Sequence, residues 1–321
     1  MAIRLNKKRN IILILLFFLI LGTLWQGIML RIENKRYSTT GIHINTGSYK
    51  ASCYVKGEGG TAFVFITGSG TPSAYTDFYY LQDELSKYGQ TISFDHAGFG
   101  WSSNTKIKRD IDSLVQELSV IVDTLVSGNR PIILVCHSLG ALEAIRFTQM
   151  NQERVAGIIF LDGGSPQYYS TASEMSSIVL NRTSAILRVS GINRLLGELG
   201  TLLPLYGENI RNAWLTTTQK EIDKVMYYKY MGTGVNIKNL KLMNENAKTV
   251  LDKGKLGSTP ILLLSSDSGK EWSQVQEQLS IWSTNSKQIK INGADHYLHW
   301  TNYKEVVENI ESFVTSIGVL P

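Results

Sequence analysis

Cysteine is nearly absent from the chain. Only Cys53 and Cys136 occur among 321 residues. Two cysteines 83 positions apart form neither a disulfide framework nor a cysteine-based metal motif. Cys136 stands in an apolar run, which predicts a buried free thiol. A surplus of one charge is missing too, once the chain is divided. The total of 32 Lys/Arg against 27 Asp/Glu looks basic, but residues 1–36 hold seven Lys/Arg and one acid, Glu33. From Tyr37 onward 25 basic residues face 26 acidic ones. Nothing there asks for nucleic acid or another polyanion. Internal repeats and low-complexity tracts are also lacking, which excludes solenoid and array architectures.

One long apolar run is present. Ile11–Leu30 carries no charge and follows the basic cluster Arg4, Lys7, Lys8 and Arg9. Twenty helical residues span about 30 Å, the thickness of a bilayer's hydrocarbon layer. Arg31, Ile32 and Glu33 follow directly, so no small-x-small cleavage site closes the run. The expectation is an uncleaved single-pass anchor within residues 1–36; secretion after signal cleavage is the alternative. Four Lys/Arg precede the run and Arg31, Lys35 and Arg36 follow it. That difference favours a cytoplasmic N-terminus and an extracytoplasmic domain over residues 37–321.

Beyond Tyr37 the pattern opens with two strands, Gly41–Asn45 and Ala51–Val55. Strand and helix then alternate. Ala62–Thr67, Pro131–Cys136, Val155–Leu161 and Pro260–Ser265 are short continuous apolar runs, as expected of strands buried on both faces. Thr91–Asp95 and Lys287–Ile291 read as further strands. Phe78–Lys87, Ile107–Val126, Leu139–Met150, Trp272–Trp282 and Tyr303–Ile317 read as helices. Such alternation predicts an α/β fold, a mostly parallel sheet covered on both faces by helices. Residues 164–258 interrupt it with helical sequence and no good strand, which predicts a helical cap. Chemistry in such sheets gathers at the strands' carboxyl ends.

There the strand ending at Cys136 runs into His137-Ser138-Leu139-Gly140-Ala141 and then a helix. A serine at a sharp strand-to-helix turn matches G-x-S-x-G, with Cys136 in place of the first glycine. Taken alone the serine could be a helix cap. Three distant motifs argue otherwise. Thr67-Gly68-Ser69-Gly70 is similar to an H-G-x-G loop, with Thr67 in place of histidine. Asp95-His96-Ala97-Gly98-Phe99-Gly100-Trp101-Ser102 is similar to D-x-x-G-x-G-x-S. Gly293-Ala294-Asp295-His296 is similar to a late G-x-x-H. From Gly41 to the end, the chain thus resembles the α/β-hydrolase superfamily, in its esterase- and lipase-like serine hydrolases.

The resemblance implies a catalytic triad in the order serine, acid, histidine. Ser138 would be the nucleophile and His296 the base, with His299 its rival. His43 and His137 read as structural, and His96 precedes the serine. Two aspartates compete for the acid. Asp267 follows the strand where most members keep it, but Ser265-Ser266-Asp267 is one residue short of their G-x-x-D. Asp162 ends the earlier strand, an arrangement some haloalkane dehalogenases resemble, and is placed first. The backbone N–H groups of Ser69 and Leu139 would form the oxyanion hole. No metal or organic cofactor is implied. The expected partner is a small ester or lipid-like substrate. The cap carries Met175, Ile178, Leu187, Leu195, Leu196, Leu199 and Leu202, and a cluster of Tyr227, Tyr228 and Tyr230, without naming that substrate. A non-catalytic binding protein on the same fold, or an amidase, peptidase or acyltransferase with the same triad, are the competing classes.

Overall fold

A computed structural model describes residues 2–39, 41–201 and 213–319. Leu202, named above in the cap, lies outside them. Helix α1 (Ala2–Arg36) comes first. Strands β1 (Ile42–Asn45) and β2 (Lys50–Ile66) follow, then a helical turn α2 (Ala74–Asp77), α3 (Tyr79–Leu85) and β3 (Gly89–Phe94). Next come α4 (Ile111–Leu125), β4 (Ile132–His137), α5 (Gly140–Met150) and β5 (Val155–Leu161). Between β5 and β6 (Ile261–Ser265) the described residues hold only helices: α6 (Pro166–Thr171), α7 (Glu174–Val189), α8 (Ile192–Glu198), α9 (Thr217–Tyr230), α10 (Gly234–Leu240) and α11 (Met243–Asp252). The chain closes with α12 (Lys270–Ser280), β7 (Ser286–Lys290), α13 (Leu298–Thr301) and α14 (Tyr303–Ser316).

The sheet has seven strands in the order β1-β2-β4-β5-β6-β7, with β3 also paired to β2. Pairs β2–β4, β4–β5, β5–β6 and β6–β7 are parallel. The two strands read at Ala51–Val55 and Ala62–Thr67 are one element, β2. It doubles back around the glycines at 57, 59 and 60, so β3 pairs with it twice. Thr91–Phe94 meets Cys53–Lys56, and Gln90–Ser93 meets Ala62–Phe65. Helix α4 begins at Ile111, later than the apolar spacing predicts, because the Asp110 side chain caps it by accepting from Ser113 N at 3.0 Å.

Strand side chains alternate between two cores. Ile132, Leu134 and Cys136 pack toward α4, α5 and α11, whereas Ile133 and Val135 pack toward α3 and α14. A strand buried on both faces needs no polar face, which is why its sequence is a continuous apolar run. Helix α11, near the end of the cap stretch, sends Met243, Ala247 and Val250 into the first core.

Residues Lys7–Arg36 form a helix long and apolar enough to cross a membrane. Ile11–Leu21 is exposed throughout. Further along, Gln26 and Glu33 are buried. They lie seven positions apart, on one face of the helix. That face docks on the cap through Arg194. Its Nε donates to Gln26 Oε1 at 2.6 Å, and its Nη2 to Glu33 Oε2 at 2.7 Å. Gln26 Nε2 donates onward to the Tyr228 carbonyl at 2.7 Å.

Candidate active site

Register brings two strand ends together. His137 and Leu161, the last residues of β4 and β5, are partners in a parallel pair. The next residues, Ser138 and Asp162, therefore emerge side by side, about one strand spacing (~4.8 Å) apart. Both take positive φ, 51° for Ser138 and 48° for Asp162. They are the only non-glycine residues to do so among those described. That conformation is costly for an L-residue and is held by the surrounding hydrogen bonds. Ser138 N donates to Leu161 O at 3.2 Å, and Asp162 N donates to Leu264 O at 2.8 Å.

Close packing behind the serine explains the small residue at 140. A Cβ on Gly140 would lie 2.8 Å from Thr67 O and 3.0 Å from Ile66 O. The start of α5 thus rests directly on the end of β2. Gly68 packs equally close, since a Cβ there would lie 3.1 Å from that of Ser138. The Thr67–Gly70 loop therefore lies against the serine turn, as the sequence motif implies. Thr67 Oγ1 contacts His96 Nδ1 at 3.1 Å, and His96 Nε2 meets Glu143 at 2.8 Å. His96 therefore braces this loop. Asp95 braces the next one, accepting from Ala74 N at 2.8 Å, Tyr54 OH at 3.0 Å and Trp101 N at 3.1 Å.

His296 arrives from the loop after β7. Its Nε2 lies 3.0 Å from Ser138 Oγ and its Nδ1 2.6 Å from Asp162 Oδ2. Asp162 is fully buried, yet its oxygens are well supplied with donors. Ser266 N and Trp272 Nε1 each donate at 2.7 Å, and Gln276 Nε2 donates as well. Burying a carboxylate is tolerable only with such partners. The other candidate acid, Asp267, is about half exposed and bonded to Lys290 Nζ at 2.5 Å. That contact holds its carboxyl below the usual range. The rival base, His299, is buried, with Nε2 3.6 Å from Asp77 Oδ1. His137 donates from Nε2 to the His296 carbonyl at 3.0 Å, and burial keeps its ring pKa well below the ordinary histidine value. A neutral ring can hold the His296 backbone without adding charge beside it.

The serine opens into a cavity of about 340 Å³. Ser69, Leu139, Tyr169, Leu180, Asn181 and Asn236 are among its walls. Of the cap tyrosines named from sequence, Tyr227 lines it too. Tyr169 was not legible as a site residue. It lines the cavity together with Ser138, and burial raises the pKa of its phenol. Trp272 and Gln276 were equally invisible. In sequence they are two positions on an amphipathic helix, and only the folded chain aims them at Asp162.

Comparisons with known proteins bear on the family and the fold. The family described as Serine aminopeptidase, S33 (Hydrolase_4) matches residues 64–305. "Uncharacterized protein YbdG" of Bacillus subtilis (strain 168) is 27% identical over 237 residues, 70% of this chain and 68% of that protein. A thermophilic esterase from Thermogutta terrifontis superposes with a TM-score of 0.64 at 17% identity, covering 86% of this chain and 98% of its own. The enol-lactonase of Burkholderia xenovorans LB400 also gives a TM-score of 0.64, at 15% identity, over 85% of this chain and 100% of its own. These two likenesses concern the α/β-hydrolase fold.

Proposed function

The chain belongs to the serine aminopeptidase S33 family of hydrolases, and we propose that it cleaves a carboxylic ester or related acyl bond through Ser138, His296 and Asp162. The observation that carries this reading is the unbroken run from Asp162 Oδ2 through the His296 ring to Ser138 Oγ, with contacts of 2.6 and 3.0 Å, at the wall of a cavity. With Nδ1–H donated to Asp162, His296 Nε2 is left as the acceptor for the serine proton. Ser138 Oγ attacks the substrate carbonyl as its proton passes to Nε2. Asp162 stabilises the resulting imidazolium. Developing negative charge on the carbonyl oxygen is received by the backbone N–H groups of Leu139 and Ser69. His296 then protonates the leaving alcohol, and water, activated by the same ring, releases the acid.

The family's name makes peptide cleavage the second reading. An aminopeptidase needs a carboxylate for the substrate's ammonium group. Among the described residues lining the cavity the one carboxylate is Asp77, which is 3% exposed and lies beside His299. This favours an uncharged acyl substrate. Residues 11–30 of α1 act as a membrane anchor in this reading, with the domain outside the cytoplasm. Retention of that helix is supported by Gln26, since cleavage after residue 30 would strip it from Arg194. A fluorophosphonate probe tests the chemistry. The wild-type protein is expected to be labelled and Ser138→Ala not. A folded wild type that stays unlabelled and hydrolyses no p-nitrophenyl ester would refute the assignment.

A further inference from the structure

Helix α7 has two unlike faces. Ser177, Asn181 and the buried Ser184 line the Ser138 cavity. On other sides Met175, Val179, Ile186 and Val189 are each at least half exposed to solvent. Helix α8 adds Leu195, and the residue after it Leu199, at 50% and 65% exposure. A run of large apolar side chains on two consecutive helices is unusual on a water-facing surface and marks an interaction site.

The position of this surface identifies its partner. The turn between α7 and α8 touches α1 so closely that a Cβ on Gly22 would strike the Ser190 backbone oxygen, and one on Gly191 would lie 2.6 Å from Gly22 O. From there Ile192 and Leu195 of α8 face apolar side chains of α1 across a groove. Together they enclose an apolar groove of about 560 Å³, lined by Leu15, Phe18, Leu19, Trp25, Ile192 and Leu195. Leu15 lies seven residues from Gly22, which is about 10 Å along the helix axis. A bilayer placed to cover Leu15 and Phe18 therefore also covers Ile192 and Leu195. The Arg194 contacts to Gln26 and Glu33 fix the two elements in this arrangement.

We propose that the α7–α8 turn is seated in the membrane leaflet facing the domain, that acyl chains of bilayer lipid fill its groove with α1, and that the substrate is an acyl ester drawn from that leaflet. The proposal rests on the anchor and esterase readings above. Helix α7 then forms the wall between the lipid and the cavity. Leu180 stands at the cavity lining while remaining 58% exposed, so it marks the place where an acyl chain passes from one side to the other. An ester already dissolved in the bilayer reaches Ser138 without its chain crossing water, which avoids exposing each methylene to water.

The test uses the full chain in phosphatidylcholine vesicles. An environment-sensitive fluorophore is attached at Leu195→Cys, Val189→Cys, Phe18→Cys or Glu277→Cys, each in a separate protein. The native cysteines are buried, and unmodified protein supplies the blank. Lipid-borne doxyl quencher is expected to quench positions 18, 189 and 195 and to spare 277. Quenching at 18 with 189 and 195 behaving like 277 would overturn the proposal and leave the anchor intact. No quenching at 18 would remove the anchor, and the proposal with it. A kinetic arm compares Ile192→Lys/Leu195→Lys with wild type as the ratio of turnover on vesicle-borne p-nitrophenyl palmitate to that on soluble p-nitrophenyl acetate. The ratio is expected to fall about tenfold; an unchanged ratio would overturn delivery from the leaflet. Hydrolysis of neither ester by wild type would sink the esterase reading and with it the substrate claim, while quenching would still decide the seating of the turn.

Discussion

Asp162 and His296 are separated by 134 positions in sequence, and Oδ2 of one lies 2.6 Å from Nδ1 of the other. The aspartate follows β5 in the left-handed region, and the histidine reaches it from the loop after β7. Between them they would fix one tautomer of the imidazole.

This contact makes the acid testable. Asp162→Asn should lower kcat on a short p-nitrophenyl ester by about 10³- to 10⁴-fold, because the amide no longer holds the ring with Nδ1 protonated. Asp267→Asn removes a half-exposed partner of Lys290 and should leave kcat within about twofold, as surface ion pairs contribute little. Near-wild-type turnover by Asp162→Asn would defeat the assignment.

Gln276 is assigned a positioning role. It donates to Asp162 from inside the fold and is 2% exposed. Gln276→Leu should reduce kcat on the order of 10- to 100-fold with KM little changed, as expected for losing a hydrogen bond to a charged group. Gln276→Glu places a second carboxyl beside the first and should raise the apparent pKa of the rate profile's acid limb. An unaltered pH–rate profile in both variants would show the contact to be structural only.

Both thiols should be silent. Burial pushes Cys53 up to about 12 and lifts Cys136 well above the ordinary thiol range. A raised pKa disfavours the thiolate, so at pH 8 neither side chain offers a nucleophile until the chain unfolds. Iodoacetamide at pH 8 should modify less than about 10% of native protein in an hour and both sites in denaturant. Rapid modification of native Cys136, traced by peptide mass, would contradict the buried placement.

The Arg194–Glu33 pair should report on how the N-terminal helix holds the cap. Arg194 is 1% exposed and its guanidinium also lies 4.6 Å from the Tyr228 ring centroid. Arg194→Met leaves a buried carboxylate without its cation, at a cost of about 3–5 kcal/mol. Adding Glu33→Gln should recover a good part of that loss. Thermal unfolding of the full chain in micelles measures the cycle, and strictly additive losses would mean that the pair does not join the two elements.

By itself the sequence determined the layered α/β fold. Continuous apolar runs such as Ile132–Cys136 arise because a strand buried on both faces tolerates no polar side. The serine turn was equally local, since a tight strand-to-helix turn needs small residues where Cys136 and Gly140 stand. A membrane-spanning length is local by nature. Choosing between Asp162 and Asp267 was not, because both follow apolar strands and differ only in which neighbour they face. Parallel register places Asp162 beside Ser138 and leaves Asp267 against Lys290, and the proposed acid rests on that placement. Tyr169, Trp272 and Gln276 escaped the sequence for the same reason. Their importance lies in direction, and direction is fixed only when helices pack on a sheet. Docking of α1 on the cap belongs to this class too. Gln26, Glu33 and Arg194 are unremarkable polar residues until tertiary structure buries all three together, where each needs the others to satisfy its charge or hydrogen bonds.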